Sequence, residues 1–117
     1  MHFQLIHGLP FGKEEDAELQ FDVELRQLTA GDIIDAEAAS ERVVITPEGP
    51  ALLSSPSRMG FELLRRSVGR IGKIQGPLPM EMLKTLHQAD IELLLTEAEA
   101  RRKAALKTAE QAAGSGR

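Results

Sequence analysis

Three kinds of side chain in this sequence have the chemistry to act on a substrate or hold a metal: imidazoles, clustered carboxylates and serine hydroxyls. The imidazoles are His2, His7 and His87. Metal ligands must converge, and no H-x-x-x-H or comparable spacing brings these together locally. His2 and His7 sit five apart on a stretch that reads as a strand, hence on opposite faces, and His87 lies near a helix junction. A site assembled in three dimensions from His7, His87 and a carboxylate stays open; a satisfied or exposed histidine is the simpler reading. The carboxylates of Glu14, Glu15 and Asp16 form a run of like charge without apolar residues around it. Paired catalytic carboxylates need surroundings that push their pKa values apart, so this run reads as a solvated loop. Ser54, Ser55 and Ser57 flank Pro56 without a G-x-S-x-G elbow, and capping a helix is sufficient work for them. No catalytic residue, cofactor site or metal site is expected, and the chain reads as a non-enzyme.

Gly69-Arg70-Ile71-Gly72-Lys73 is the one glycine pattern with a ligand chemistry attached. It is not a P-loop, which needs four residues between its glycines and Ser or Thr after the lysine. It does match the bare GxxG that clamps an RNA backbone between two helices, and Arg65, Arg66, Arg70 and Lys73 would add phosphate contacts. Against this, Gly76-Pro77 interrupts the helix that should follow, and no returning strand is apparent. A glycine-rich helix end is the simpler reading.

The 117 residues suit one domain with one core. Hydrophobic residues are 42% of the chain, which argues against global disorder, and aromatics are 3%, which argues against base-stacking platforms. The absence of Cys excludes disulfides and thiolate chemistry. No apolar run approaches the length of a membrane span, and Met1-His2-Phe3-Gln4 does not resemble a signal peptide; a cytoplasmic protein is expected. The net charge of −4 conceals a gradient: residues 1–48 are strongly acidic, residues 49–100 are balanced and residues 101–117 are basic. Solvated faces with a solubilising tail account for this; opposite ends that steer protein partners or further copies are the alternative. An acidic domain disfavours duplex nucleic acid.

These residues are carried on elements that the patterning outlines. Residues 1–9 alternate, with Met1, Phe3, Leu5 and Leu9 on one face. Residues 18–26 alternate more cleanly, with Leu19, Phe21, Val23 and Leu25 inward and Glu18, Gln20, Asp22, Glu24 and Arg26 outward, so the two stretches predict an antiparallel hairpin joined by a loop over 10–16. Thr29 and Asp32 resemble a capping box opening a short helix through Ile33, Ala36 and Ser40. Val43–Thr46 and Ala51–Leu53, around Pro47–Pro50, read as a second small hairpin or a structured loop. After Ser55-Pro56, Phe61, Leu64, Val68 and Ile71 follow helical spacing, with glycines ending the helix. Pro79 opens a short helix, Met80 to Leu86. A last helix runs from about residue 88 to 113, with a stripe of Ile91, Leu94, Leu95 and Ala98 that thins to alanines.

The order of these parts resembles the tail assembly chaperone family of Mu-like phages and prophages. Three stretches carry the resemblance: Val23 to Asp32, similar to an L-R-x-x-T-x-G-D helix start; Phe61 to Gly72, similar to a central helix with a glycine-rich end; and Leu78-Pro79 through Asp90-Ile91-Glu92-Leu93-Leu94, similar to the closing segment. It covers most of residues 1–100 and leaves out residues 42–57 and the tail. The resemblance implies a non-enzymatic protein of the host bacterial cytoplasm that binds the tape measure protein, with tail-tube subunits as a further partner, and is absent from the finished virion. A homo-oligomer is also compatible, and a small GxxG-type nucleic-acid-binding regulator is the alternative.

The expected fold is α+β: an N-terminal antiparallel hairpin, with one or two short strands added, packed with three or four helices, the last one long and projecting. Residues 1–100 form the single domain and residues 101–117 an Ala/Arg-rich helical tail, frayed at its end. The expected partner-binding surface is on the last helix: Leu94, Ala98, Arg101, Arg102, Ala105, Leu106 and Ala109.

Overall fold

The computed structural model describes residues 2–115, with side-chain surroundings from residue 2 through 108. Met1, the side chain of Ala109 and the end of the tail, where fraying is expected, lie outside the described residues. The architecture is α+β. Strands β1 (His2–Phe11) and β2 (Glu18–Leu25) are followed by helix α1 (Ala30–Ala39), a hairpin of β3 (Glu41–Thr46) and β4 (Gly49–Ser54), and helix α2 (Pro56–Ser67). Short strands β5 (Val68–Ile71) and β6 (Ile74–Gln75), the single-turn α3 (Met80–Leu83) and the long α4 (Gln88–Ser115) complete it. One antiparallel sheet has the order β1-β2-β5-β6; β3 and β4 form a separate two-stranded sheet. The main sheet, α2, α3 and the start of α4 enclose a core that includes Leu9, Val23, Leu64, Val68, Ile71, Leu78 and Leu94.

The helix starts conform closely to their sequences. Thr29 Oγ1 accepts from the Asp32 amide and the Asp32 carboxylate accepts from the Thr29 amide, which satisfies two of the donors at the start of α1. Ser55 caps α2 with Pro56 at its first position. Ser40 ends α1, and the second hairpin forms with Thr46 opposite Gly49 across Pro47-Glu48.

The central helix is shorter than its spacing predicts. Phe61 and Leu64 lie on α2, but Val68 and Ile71 lie on β5, buried against β2. Spacings of three and four also occur on a strand whose pairing slips by one residue, and β5 slips between Glu24 and Leu25 of its partner. The glycines therefore do not cap a helix. Gly72 takes a φ of +56° in the β5–β6 turn, above the buried side chain of Gln20. Strand β6, which the patterning does not predict, returns beside β5.

The outer half of the first hairpin also departs from simple alternation. Leu19 and Phe21 are exposed, whereas Gln20 is buried, its Oε1 accepting from the Lys73 amide and its Nε2 donating to the Glu18 carbonyl. Pro10 and Phe11, expected in the loop, continue β1. The pairing beside this stretch contains a large bulge. Gln4 faces Asp22 and Leu9 faces Gln20, so Leu5 to Gly8 of β1 stand opposite Phe21 alone.

The bulge wraps the carboxylate of Asp90, in the first turn of α4. Its Oδ1 accepts from the Ile6 amide at 2.6 Å, and its Oδ2 accepts from the His7 and Gly8 amides at 3.0 Å each. Gly8 has a φ of +86°, which lets successive amides point to one place, and Asp90 is fully buried. Replacing Asp90 with Ala removes the acceptor of three part-buried donors, so urea unfolding is expected to show a loss of about 3 kcal/mol, with Asp90→Asn recovering part of it.

A second charged cluster rests on α2. The Glu62 carboxylate, with its side chain 3% exposed, accepts from Arg65 Nε at 2.9 Å and from Arg66 Nη1, and Arg58 approaches it. Burial pushes the Glu62 carboxyl up, but the hydrogen bonds and charges of Arg65 and Arg66 outweigh it and hold it below the usual carboxylate range. A carboxyl depressed in the folded state stabilises the fold above its unfolded pKa, and that contribution disappears as pH falls through the folded value. The melting temperature is therefore expected to fall below a pH of about 4, and Glu62→Gln to lower it at neutral pH while reducing its dependence on acid.

Candidate functional site

Among the described residues, helix α4 is fastened at its beginning. Asp90 is held by β1, His87 accepts from the Ala89 amide through Nδ1, and Ile91 and Leu94 join the core. Beyond Ala98 the helix continues past the domain, and between it and α2 lies an open cleft of about 960 Å³. Leu25, Leu63 and Leu64 form its floor; Leu28 and Ile33, where the chain enters α1, form one side, and Leu95, Ala98, Ala105 and Leu106 form the other. From Leu95 to Thr108 the α4 wall runs for about 20 Å, some four turns of helix.

The cleft is apolar inside and basic at its edge. Arg101 and Arg102 line it, and among the described residues neither has a carboxylate within ion-pair distance. The neighbouring Glu99 is occupied by Lys103 at 3.3 Å. Across the cleft, Arg26 grips Asp32 through both terminal nitrogens at 3.0 and 2.7 Å, and its backbone amide donates to the Ser67 carbonyl. Hydrogen bonds from Arg26 and Thr29 hold the Asp32 carboxyl well below the usual carboxylate range. This pair ties the α1 wall to the end of α2, so that wall is fixed before anything binds.

Ala98, Arg101, Arg102, Ala105 and Leu106 of the expected surface all line the cleft. Leu94 does not: it is fully buried in the domain's own core, because the first turns of α4 must dock before the rest can project. Ala109 lies outside the described side chains. Leu28, Ile33 and Gly60 on the far side, and Leu63 of the floor, are absent from the expected surface. The signal for that side was the apolar pair Leu28 and Ile33 on either side of the capping box, where a small helix start buries little else.

The other candidate groups fall elsewhere. The rings of His7 and His87 stack with centroids 3.6 Å apart, and His2 lies near Asp22 on another part of the sheet. No group of three or more His, Cys, Asp or Glu suited to a metal occurs among the described residues. The GxxG residues occupy a strand and a hairpin turn, not a loop between two helices. Its four bases are taken: Arg65 and Arg66 by Glu62, Arg70 by Glu24 at 3.1 Å, and Lys73 by Glu18 at 3.2 Å.

A family model described as tail assembly protein gp41 matches residues 5–117. The "Probable tail assembly protein gp41" of Escherichia phage Mu is 53% identical over 91 residues, which are 78% of this chain and 63% of that protein. The "Probable tail assembly protein FS-gp41" of the same phage is 53% identical over 91 residues, 78% of this chain and 48% of that protein. The "Mu-like prophage FluMu protein gp41" of Haemophilus influenzae is 48% identical over 92 residues, 78% of this chain and 69% of that protein. The chain thus spans less than two-thirds of the two phage Mu relatives. No solved structure matches it.

Gly60 lies within α2 on the cleft wall, and nothing stands within 4 Å of a β-carbon placed there. Glycine inside a helix is unfavourable relative to alanine, so Gly60→Ala is expected to stabilise the protein by about 0.8 kcal/mol, read as a rise in the urea midpoint.

Proposed function

The chain belongs to the tail assembly protein gp41 family, and on that premise we propose that it acts in phage tail assembly as a chaperone of the tape measure protein. It works by reversible binding and not by catalysis, in the cytoplasm of the bacterial host, and leaves before the virion is finished; tail-tube subunits are a further partner. The observation that carries this reading is the cleft beside α4. A tape measure is a long helical protein whose apolar faces aggregate unless they are covered. A trough of about four helical turns, with leucines below and small alanines on one wall, accepts one helix of that kind. Its length is matched to a segment of partner and not to a small molecule.

Small residues on the α4 wall let a partner backbone approach closely, while Leu95 and Leu106, 39% and 59% exposed, supply contact area. The guanidinium groups of Arg101 and Arg102, without a carboxylate partner among the described residues, favour a partner helix with acids beside its apolar stripe. Such rim charges steer and orient more than they hold, so binding should weaken only moderately as salt rises.

Co-expression with the tape measure protein of the same phage or prophage tests the reading. Soluble tape measure that co-elutes with this chain is expected, and recovery should fall at least about tenfold when Ala98 and Ala105 are both replaced by Glu. Lys73→Gln, remote from the cleft, should leave recovery unchanged. A tape measure that stays insoluble, or is retained equally by the groove variant, contradicts the proposal.

A further inference from the structure

The trough between α2 and α4 differs in charge from one bank to the other. On the α4 bank, Arg101 and Arg102 line the opening, and Glu99 beside them is offset by Lys103 at 3.3 Å. On the bank where the chain enters α1, Arg26 lines the trough, and both its terminal nitrogens are engaged by Asp32 at 3.0 and 2.7 Å. Helix α1 itself carries Asp32, Asp35 and Glu37 and no base. Glu37 stands one turn beyond Ile33 on the same side of α1, so the wall that begins with Leu28 and Ile33 continues to a carboxylate. Charge therefore changes sign across the width of the trough.

We infer that the trough takes an amphipathic helix with acids along one flank only, the flank facing α4, and that this asymmetry fixes the direction in which the helix lies. The inference rests on the cleft being a helix-binding site, as proposed above. Acids on the α4 flank meet the guanidinium groups of Arg101 and Arg102. Acids on the other flank meet Glu37 and an arginine whose charge is already offset, and are repelled. A helix seated with its apolar stripe on Leu25, Leu63 and Leu64 has two orientations, related by a half-turn about the normal to that floor. The half-turn exchanges the ends of the helix and its flanks together. One-sided acids are therefore satisfied in one direction and repelled in the other, whereas acids on both flanks, or on neither, select no direction.

Two synthetic helices of about 15 residues, matched to the four turns of the trough, test this. Both carry the same leucine stripe and the same glutamates, placed on one flank in the first and on the other in the second, with glutamines opposite. Lactam bridges on the solvent side hold them helical, since isolated helices of this length are marginal. Each should bind the full chain with similar affinity but in opposite directions. A nitroxide on the peptide N-terminus should then broaden the Leu95 methyl signals with one peptide and the Leu106 signals with the other, the two residues standing about 16 Å apart along α4. Replacing Arg101 and Arg102 with Gln, with helical circular dichroism unchanged, should weaken each peptide about fivefold at low salt and let both leucines broaden alike. Peptides that bind in one direction whatever their flank, or a preference that survives the double substitution, overturn the inference while leaving the helix site standing. Failure of both peptides to bind overturns it together with the reading of the cleft. Self-association that rises with protein concentration and is displaced by the peptides puts a second copy of the chain in the trough, and likewise overturns it.

Discussion

A single carboxylate joins the two ends of this domain. Asp90 is buried at the beginning of α4 and accepts three backbone amides from the β1 bulge, so strand and helix are fixed to one another by charge-assisted hydrogen bonds and not by area alone. The bulge needs the carboxylate, because Ile6, His7 and Gly8 turn away from β2 and would otherwise leave donors unpaired. The helix needs it too, because only its first turns touch the core. The stacked His7 and His87 rings flank the same joint from the solvent side. The direction in which α4 leaves the domain depends on this junction, and so does the gap between α4 and α2.

The gap remains a cleft because the two helices that border it are supported independently. Helix α2 is held by Leu64 in the core and by the Arg26 amide at its last residue, Ser67. Helix α4 is held by Asp90, Ile91 and Leu94. The α2 supports, Leu64 and Ser67, line the cleft themselves, and beyond Ala98 the small residues of α4 offer little surface to close on α2. Alanines keep α4 helical by propensity while leaving space beside it.

Much of the local structure was legible. Capping at Thr29 and Ser55, the alternation of the inner part of β2, and the turn between β3 and β4 are all written in adjacent residues. The α4 side of the cleft was legible for the same reason, since alanines flanked by arginines on a long helix mark an undocked face. What escaped was decided by partners distant in sequence. Val68 and Ile71 keep helical spacing, and only the neighbouring β2 strand makes them extended. Leu19 and Phe21 alternate correctly but stay exposed, beside the bulged stretch of β1. Asp90 gave no side-chain pattern to read, since its ligands are backbone amides; Gly8 within a strand was the available hint. The arginines near the GxxG could be counted, but not their carboxylates.

The insertion of α1, β3, β4 and α2 between β2 and β5 leaves and rejoins the sheet at neighbouring positions, for Leu25 pairs with Val68. The distance the sheet must span at that point is one strand spacing, whatever the excursion contains. Sheet, bulge, α2 and α4 can thus be regarded as a chassis, and α1 with the β3–β4 hairpin as an arm plugged into it at one socket. A hairpin with a longer reach or a different edge can be exchanged there without altering the closure of the chassis. The two ends of α2 are not equivalent in this respect: the Ser67 end belongs to the socket, and the Ser55 end receives the arm.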